Sequence, residues 1–152
     1  MSLETKVPPP VVAAAAALII WGISQLTPQI EIPSSVRFVA SLTLVVGGVT
    51  LAVAGFLSFR RARTTVHPTR PEEASSLVTT GVYRFTRNPM YLGLGLLLTA
   101  WAVWLSALLP FAGPVLYVLY MTRFQIQPEE RVLGGIFGEA YSAYTGRVRR
   151  WL

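Results

Sequence analysis

The sequence predicts an all-α integral membrane protein of four transmembrane helices, closed by a C-terminal cytosolic amphipathic helix. Three observations predict it. Hydrophobic residues make up 53% of the 152-residue chain and charged residues 13%, roughly half the charged share of an ordinary soluble domain. The few charges are segregated: none falls between Lys6 and Glu31, between Arg37 and Arg60, or between Arg87 and Arg123. The cations also gather on one side of the expected spans, because the loop Pro28 to Ser35 holds Glu31 and no Lys or Arg. The length suits one domain, residues 1–152.

A bilayer-spanning helix needs roughly 20 mostly apolar residues. Span one is expected at about 11–26, started by Pro8, Pro9 and Pro10, which a first helical turn tolerates, and stopped by Thr27-Pro28. Lys6 and the run Val11 to Ile23 resemble a secretory leader, but no small-residue cleavage site follows, so the segment is read as a helix that stays. Span two is expected at about 36–59, where Gly47, Gly48 and Gly55 permit close helix approach. Residues 60–89 are polar and carry prolines at 68, 71 and 89, which suits a cytosolic loop with a short helix near Glu72 to Ser76. The third uncharged stretch is too long for one helix and suits two short ones, at about 90–105 and 108–123. Trp101, Trp104, Ser106 and Pro110 mark the bend between them, with the tryptophans at interfacial depth.

The tail, residues 124–152, changes character. Val132, Leu133, Ile136, Phe137, Ala140, Tyr141 and Tyr144 recur at helical spacing and form an apolar stripe. This predicts an amphipathic helix, or two short ones, with Gly134, Gly135 and Gly138 as sites of a kink or of close approach. Arginines fill the loop after span two and the segment after span four, so both termini and the long loop are expected in the cytosol, at the inner or plasma membrane. The net charge of +6 then implies contact with anionic lipid headgroups rather than with nucleic acid. The chain has no cysteine, which excludes disulfides, thiolate metal sites and a thiol nucleophile. His67 is the one histidine. A single imidazole in a chain without Asp or Cys makes a poor metal site, so no metal is expected.

Three clusters carry residues suited to chemistry, all at the cytosolic ends of spans. Gly81-Val82-Tyr83-Arg84-Phe85-Thr86-Arg87-Asn88-Pro89-Met90-Tyr91 enters span three. It fits either an anion-binding helix start or a basic loop with an aromatic anchor. Gly93-Leu94-Gly95 fits either a ligand's close approach or helix packing. Glu129-Glu130 fits either a site for a cation or hydroxyls, or acidic residues that complement a helix N-terminus.

Taken in order, Tyr83 to Gly95, then Glu129-Glu130-Arg131-Val132-Leu133, then Phe137-Gly138-x-x-Tyr141-x-x-Tyr144 resemble the isoprenylcysteine carboxyl methyltransferase and phospholipid methyltransferase family. The resemblance covers roughly residues 78–151. It implies methyl transfer from S-adenosyl-L-methionine (SAM) to a lipophilic or amphipathic small-molecule acceptor, a carboxylate or an amine, at the cytosolic membrane face. By resemblance, Arg87, Asn88, Pro89, Tyr91, Gly93, Gly95, Glu129, Glu130, Tyr141 and Tyr144 would bind SAM, with Arg87, Asn88 and Tyr91 as catalytic residues. Asn88 stands where the family has His. Asparagine keeps a donor and an acceptor but cannot titrate, so a positioning role survives there and a proton-carrying one does not. The competing class is a non-catalytic membrane binding or assembly protein that keeps the fold.

Overall fold

The structure is a computed structural model that describes residues 4–64 and 71–152. His67 lies outside the described residues. Among the described residues five α-helices follow one another: α1 (Pro9–Gln25), α2 (Ser34–Arg61), α3 (Pro89–Leu105), α4 (Ala112–Tyr120) and α5 (Gln127–Thr145). Short 3₁₀ turns lie at Pro71–Glu73, Gly81–Arg84 and Leu109–Phe111. The short helix expected near Glu72 to Ser76 is reduced to the first of these turns, Pro71–Glu73. Among the described residues there is no strand beyond one isolated bridge, Gln29 to Ala107.

Prolines start α1 and α3, where a missing N–H costs nothing. Ser106, in the left-handed region at φ 50° and ψ 44°, ends α3 and makes the bend. That bend is stitched to the loop before α2: Ile30 N–H donates to the Ser106 carbonyl at 2.6 Å. The Arg37 guanidinium lies 5.1 Å from the centre of the Trp104 ring.

The expectation of four spans narrows. Among the described residues one helix, α2, is long and apolar enough to cross a bilayer unaided. At 17 residues each, α1 and α3 reach about 25 Å at 1.5 Å per residue, against about 30 Å of hydrocarbon. The 9 residues of α4 reach less. Pro28 after α1, the left-handed turn at Ser106 and the 3₁₀ turn before α4 set these limits.

The main contact is α2 against α3. The buried residues of α2 are Ser41, Gly48 and Gly55, spaced seven apart on one stripe. A Cβ on Gly93 would stand 2.6 Å from the Gly48 carbonyl oxygen, and one on Gly48 2.8 Å from that of Gly93. The two backbones therefore meet where neither residue has a side chain. The other side of α2 leaves Val39, Val46, Val53 and Phe56 exposed. On the opposite side of α3, Ile20 of α1, Leu98 and Ala102 of α3, and Tyr117 of α4 form the core with Met121 and Ile126. Ile20 fills the space above Gly113.

No break separates the fourth helix from the tail. Met121–Ile126 continues α4 as a π-helical turn that runs into α5. Pro128 explains the widening. Its ring lacks the N–H that would bond the Phe124 carbonyl and would crowd that group in a regular helix. The freed carbonyl accepts instead from Thr5 N–H at 3.0 Å, so the N-terminal segment is fastened across the turn. The kink expected among the tail glycines occurs at Gly138, with φ 47° and ψ −120°. It divides the apolar stripe: Tyr141 and Tyr144 are buried, while Ile136 and Ala140 are exposed.

Candidate functional site

A cavity of about 360 Å³ opens where the start of α3, the π turn and α5 converge, within the range of small-molecule sites. Its apolar wall includes Pro9, Pro10, Phe59, Met90, Leu94 and Leu133. Its polar wall is Tyr83, Arg87, Asn88, Tyr91, Glu129, Glu130, Tyr141 and Tyr144. Of the residues singled out in the sequence, the fold thus brings together Arg87, Asn88, Tyr91, Glu129, Glu130, Tyr141 and Tyr144. Pro89, Gly93 and Gly95 do not line this cavity. Pro89 is buried against Gly55 of α2, Gly93 abuts Gly48, and Gly95 faces the Tyr117 ring. The exposed Arg84 also lies outside the lining.

The two glutamates have different neighbours. Glu130 lies 3.2 Å from Arg87 Nη2 and accepts from Arg150 Nε at 3.0 Å and Nη2 at 2.7 Å. That two-pronged contact holds the Arg150 guanidinium further into its charged range. Glu129 instead accepts from the Tyr91 hydroxyl at 2.6 Å and from the Gln125 side-chain amide, both on Oε1. Among the described residues no donor bonds its Oε2. Burial pushes the Glu129 carboxyl up to about 7. The Tyr91 and Gln125 hydrogen bonds pull it down, and the neighbouring Glu130 charge pushes it up. Burial raises Tyr141 to about 12, against the pull of Arg87. It raises Tyr83 and Tyr144 as well, so all three phenols stay neutral.

The loop before α3 is fixed by the C-terminal segment. Arg87 N–H donates to the Arg149 carbonyl at 3.0 Å. Thr86 Oγ1 and Asn88 Nδ2 donate to the Arg150 carbonyl at 3.3 and 2.9 Å. Trp151 Nε1 donates to Thr122 Oγ1 at 3.1 Å. The Asn88 side chain thus anchors the chain end. Arg87 is mostly buried, and its Nε has no hydrogen-bond partner among the described residues, an orphan donor that such sites rarely leave without purpose. The Tyr144 hydroxyl donates to the Tyr83 carbonyl at 2.8 Å, closing α5 over the 3₁₀ turn.

Two site residues escaped sequence reasoning. Gln125 carried a signal: it precedes Glu129 by four positions, so the pair shares a helical face. Arg150 carried none, since twenty residues separate it from Glu130 and only the fold joins them.

Residues 36–140 match the model of a family described as phospholipid methyltransferase. An uncharacterized protein of Haemophilus influenzae is 44% identical over 63 residues, which is 41% of this chain and all of that protein. The protein-S-isoprenylcysteine O-methyltransferase B of Arabidopsis thaliana is 31% identical over 112 residues, 70% of this chain. That match covers 54% of the plant protein, so the chain spans about half its length. No solved structure matches the chain.

Proposed function

The chain belongs to the phospholipid methyltransferase family, and from that premise we propose that it transfers a methyl group from SAM to a carboxylate or amine on a lipophilic acceptor at the cytosolic face of a membrane. The carrying observation is one cavity that joins an apolar wall to a half-buried carboxylate, one oxygen of which accepts from no donor among the described residues. SAM supplies an activated methyl on a sulfonium, which leaves as a neutral thioether when the acceptor's lone pair bonds the methyl carbon.

The residues fit that group. Ionised Glu129 presents a negative charge to a ligand carrying ammonium and sulfonium charges, and Tyr91 holds its other oxygen. Arg87 offers a cation, and an Nε with no partner among the described residues, to the ligand's carboxylate or to an anionic acceptor. Tyr141 and Tyr144 cover the polar wall and keep water out. Asn88 acts by position, tying the loop to residue 150. Holding donor and acceptor in line supplies much of the rate in such a displacement. The apolar wall, formed by the ends of α1, α2 and α3, suits the acceptor's tail. The four apolar helices would lie in the bilayer, with the arginine-rich ends in the cytosol.

Two measurements test this. Isothermal titration of the detergent-solubilised protein with SAM, and with its demethylated product, is expected to show binding that Glu129→Ala lowers at least about tenfold, the loss of one charged contact. Incubation with methyl-labelled SAM and a membrane lipid extract is expected to move label into the lipid fraction. Binding without transfer to any lipid would favour a non-catalytic binding protein, and absence of both would end the proposal.

A further inference from the structure

Gln125 is an amide buried to 2% exposure in the π turn, between Phe124 and Ile126. Its side chain donates to Glu129 Oε1, where the Tyr91 hydroxyl also donates. With both donors on one oxygen, the carboxylate is fixed in rotation and Oε2 is left to the cavity. π turns recur at functional sites because the extra backbone they insert re-aims a side chain. Here the turn sits directly before Glu129. Resting on the reading above, we infer that Gln125 is a positioning residue, which orients Glu129 toward the bound cation and governs how readily that carboxyl ionises.

The reasoning is electrostatic. Burial disfavours the charged form of Glu129, and a donor to that form favours it. The groups around it are Tyr91 from α3, Tyr83 from the 3₁₀ turn, and Glu130 and Tyr141 from α5, with Arg87 and Arg150 one step away on Glu130. Both arginines are engaged by Glu130, so the donors that directly support the Glu129 charge are neutral, and losing one leaves a large gap.

All seven acidic residues are glutamates, so carboxyl-¹³C glutamate labelling makes each of them visible by NMR in micelles of the full chain. One signal, identified by its loss in Glu129→Gln, is expected to titrate near neutrality. Gln125→Met keeps the length and removes the donor, and is expected to raise that midpoint by about one pH unit. Gln125→Asn, too short to reach, is expected to shift it the same way and serves if the methionine variant does not fold. With the midpoint raised, the ionised fraction at pH 7 falls from about one half to about one tenth, so SAM binds about fivefold more weakly. An unmoved midpoint in either folded variant overturns the inference. So does a moved midpoint with unchanged SAM affinity. A wild-type protein that titrates as described but binds no SAM at any pH overturns the functional reading instead, while the Gln125 shift is still read from the spectra.

Discussion

At the scale of single residues, the chemistry of the cavity turns on one carboxyl. Glu129 is pushed up to about 7 in the folded chain, above the ordinary glutamate value of 4.5. The sign follows. Between those values the folded state holds a proton that the unfolded state has released, so the stability this group contributes is fully present below 4.5 and is lost as pH rises through 7. Without ligand, thermal unfolding in detergent is expected at lower temperature at pH 8 than at pH 5.5. Glu129→Gln, which never ionises, should flatten the part of that slope lying between pH 5 and 8. SAM binding runs the other way, strengthening from pH 6 to pH 8 with release of a proton, and Glu129→Gln abolishes that trend. Calorimetry in two buffers of different ionisation enthalpy counts the proton. Affinity that is flat with pH in the wild type would contradict the assignment.

At the scale of elements, glycine positions separate packing from conformation. Gly93→Ala sets a methyl against the Gly48 backbone and is expected to cost about 1–3 kcal/mol, read as a lowered midpoint in a detergent melt. Gly22, also helical, has nothing within 4 Å of an added Cβ, and Gly22→Ala should be neutral or stabilising by up to about 1 kcal/mol. Gly138 gives a third case. Space around it is open, but its backbone at φ 47° and ψ −120° lies outside the left-handed well that Ser106 occupies, so Gly138→Ala should cost about 1–3 kcal/mol through strain alone. It should also displace Tyr141 and Tyr144 and weaken SAM binding. These comparisons show what the sequence makes legible. Proline starts, the Ser106 bend and the glycine kink each have local causes, and each was readable. The choice between ligand room and helix packing at Gly93-Leu94-Gly95 was not, because both uses want a missing side chain, and only the position of α2 decides between them. Nor was the π turn, since the run Met121–Ile126 looks the same in either winding until the register against Pro128 is known.

At the scale of the whole molecule, two of the three clusters named from the sequence, the loop entering α3 and the paired glutamates, meet at one cavity, while Gly93 and Gly95 serve helix packing. Asn88 and Glu130 line one cavity, linked through the Arg150 residue that hydrogen-bonds both. Sequence spacing carries the two wall segments but not the closing one, because contacts across sixty residues leave no periodic trace. Orientation is open to direct measurement. The chain lacks cysteine, so single cysteines at Ile30 and Ser75 can be probed with a membrane-impermeant thiol reagent in sealed vesicles. Labelling from opposite sides is expected, and labelling of both from one side would rule out the arrangement drawn from the arginines.

The two chain ends share an anchorage. Thr5 is bonded to Phe124 and Trp151 to Thr122, two positions apart on the same turn. The stretch from residue 5 to residue 151 is thus nearly a closed ring, buckled at the π turn. A short glycine-serine bridge from residue 152 back to residue 4, with new ends cut between α2 and the Pro71–Glu73 turn, should yield a circular permutant that inserts and melts like the parent, whereas a bulky fusion attached without a spacer directly before residue 4 or after residue 152 should loosen the buckle.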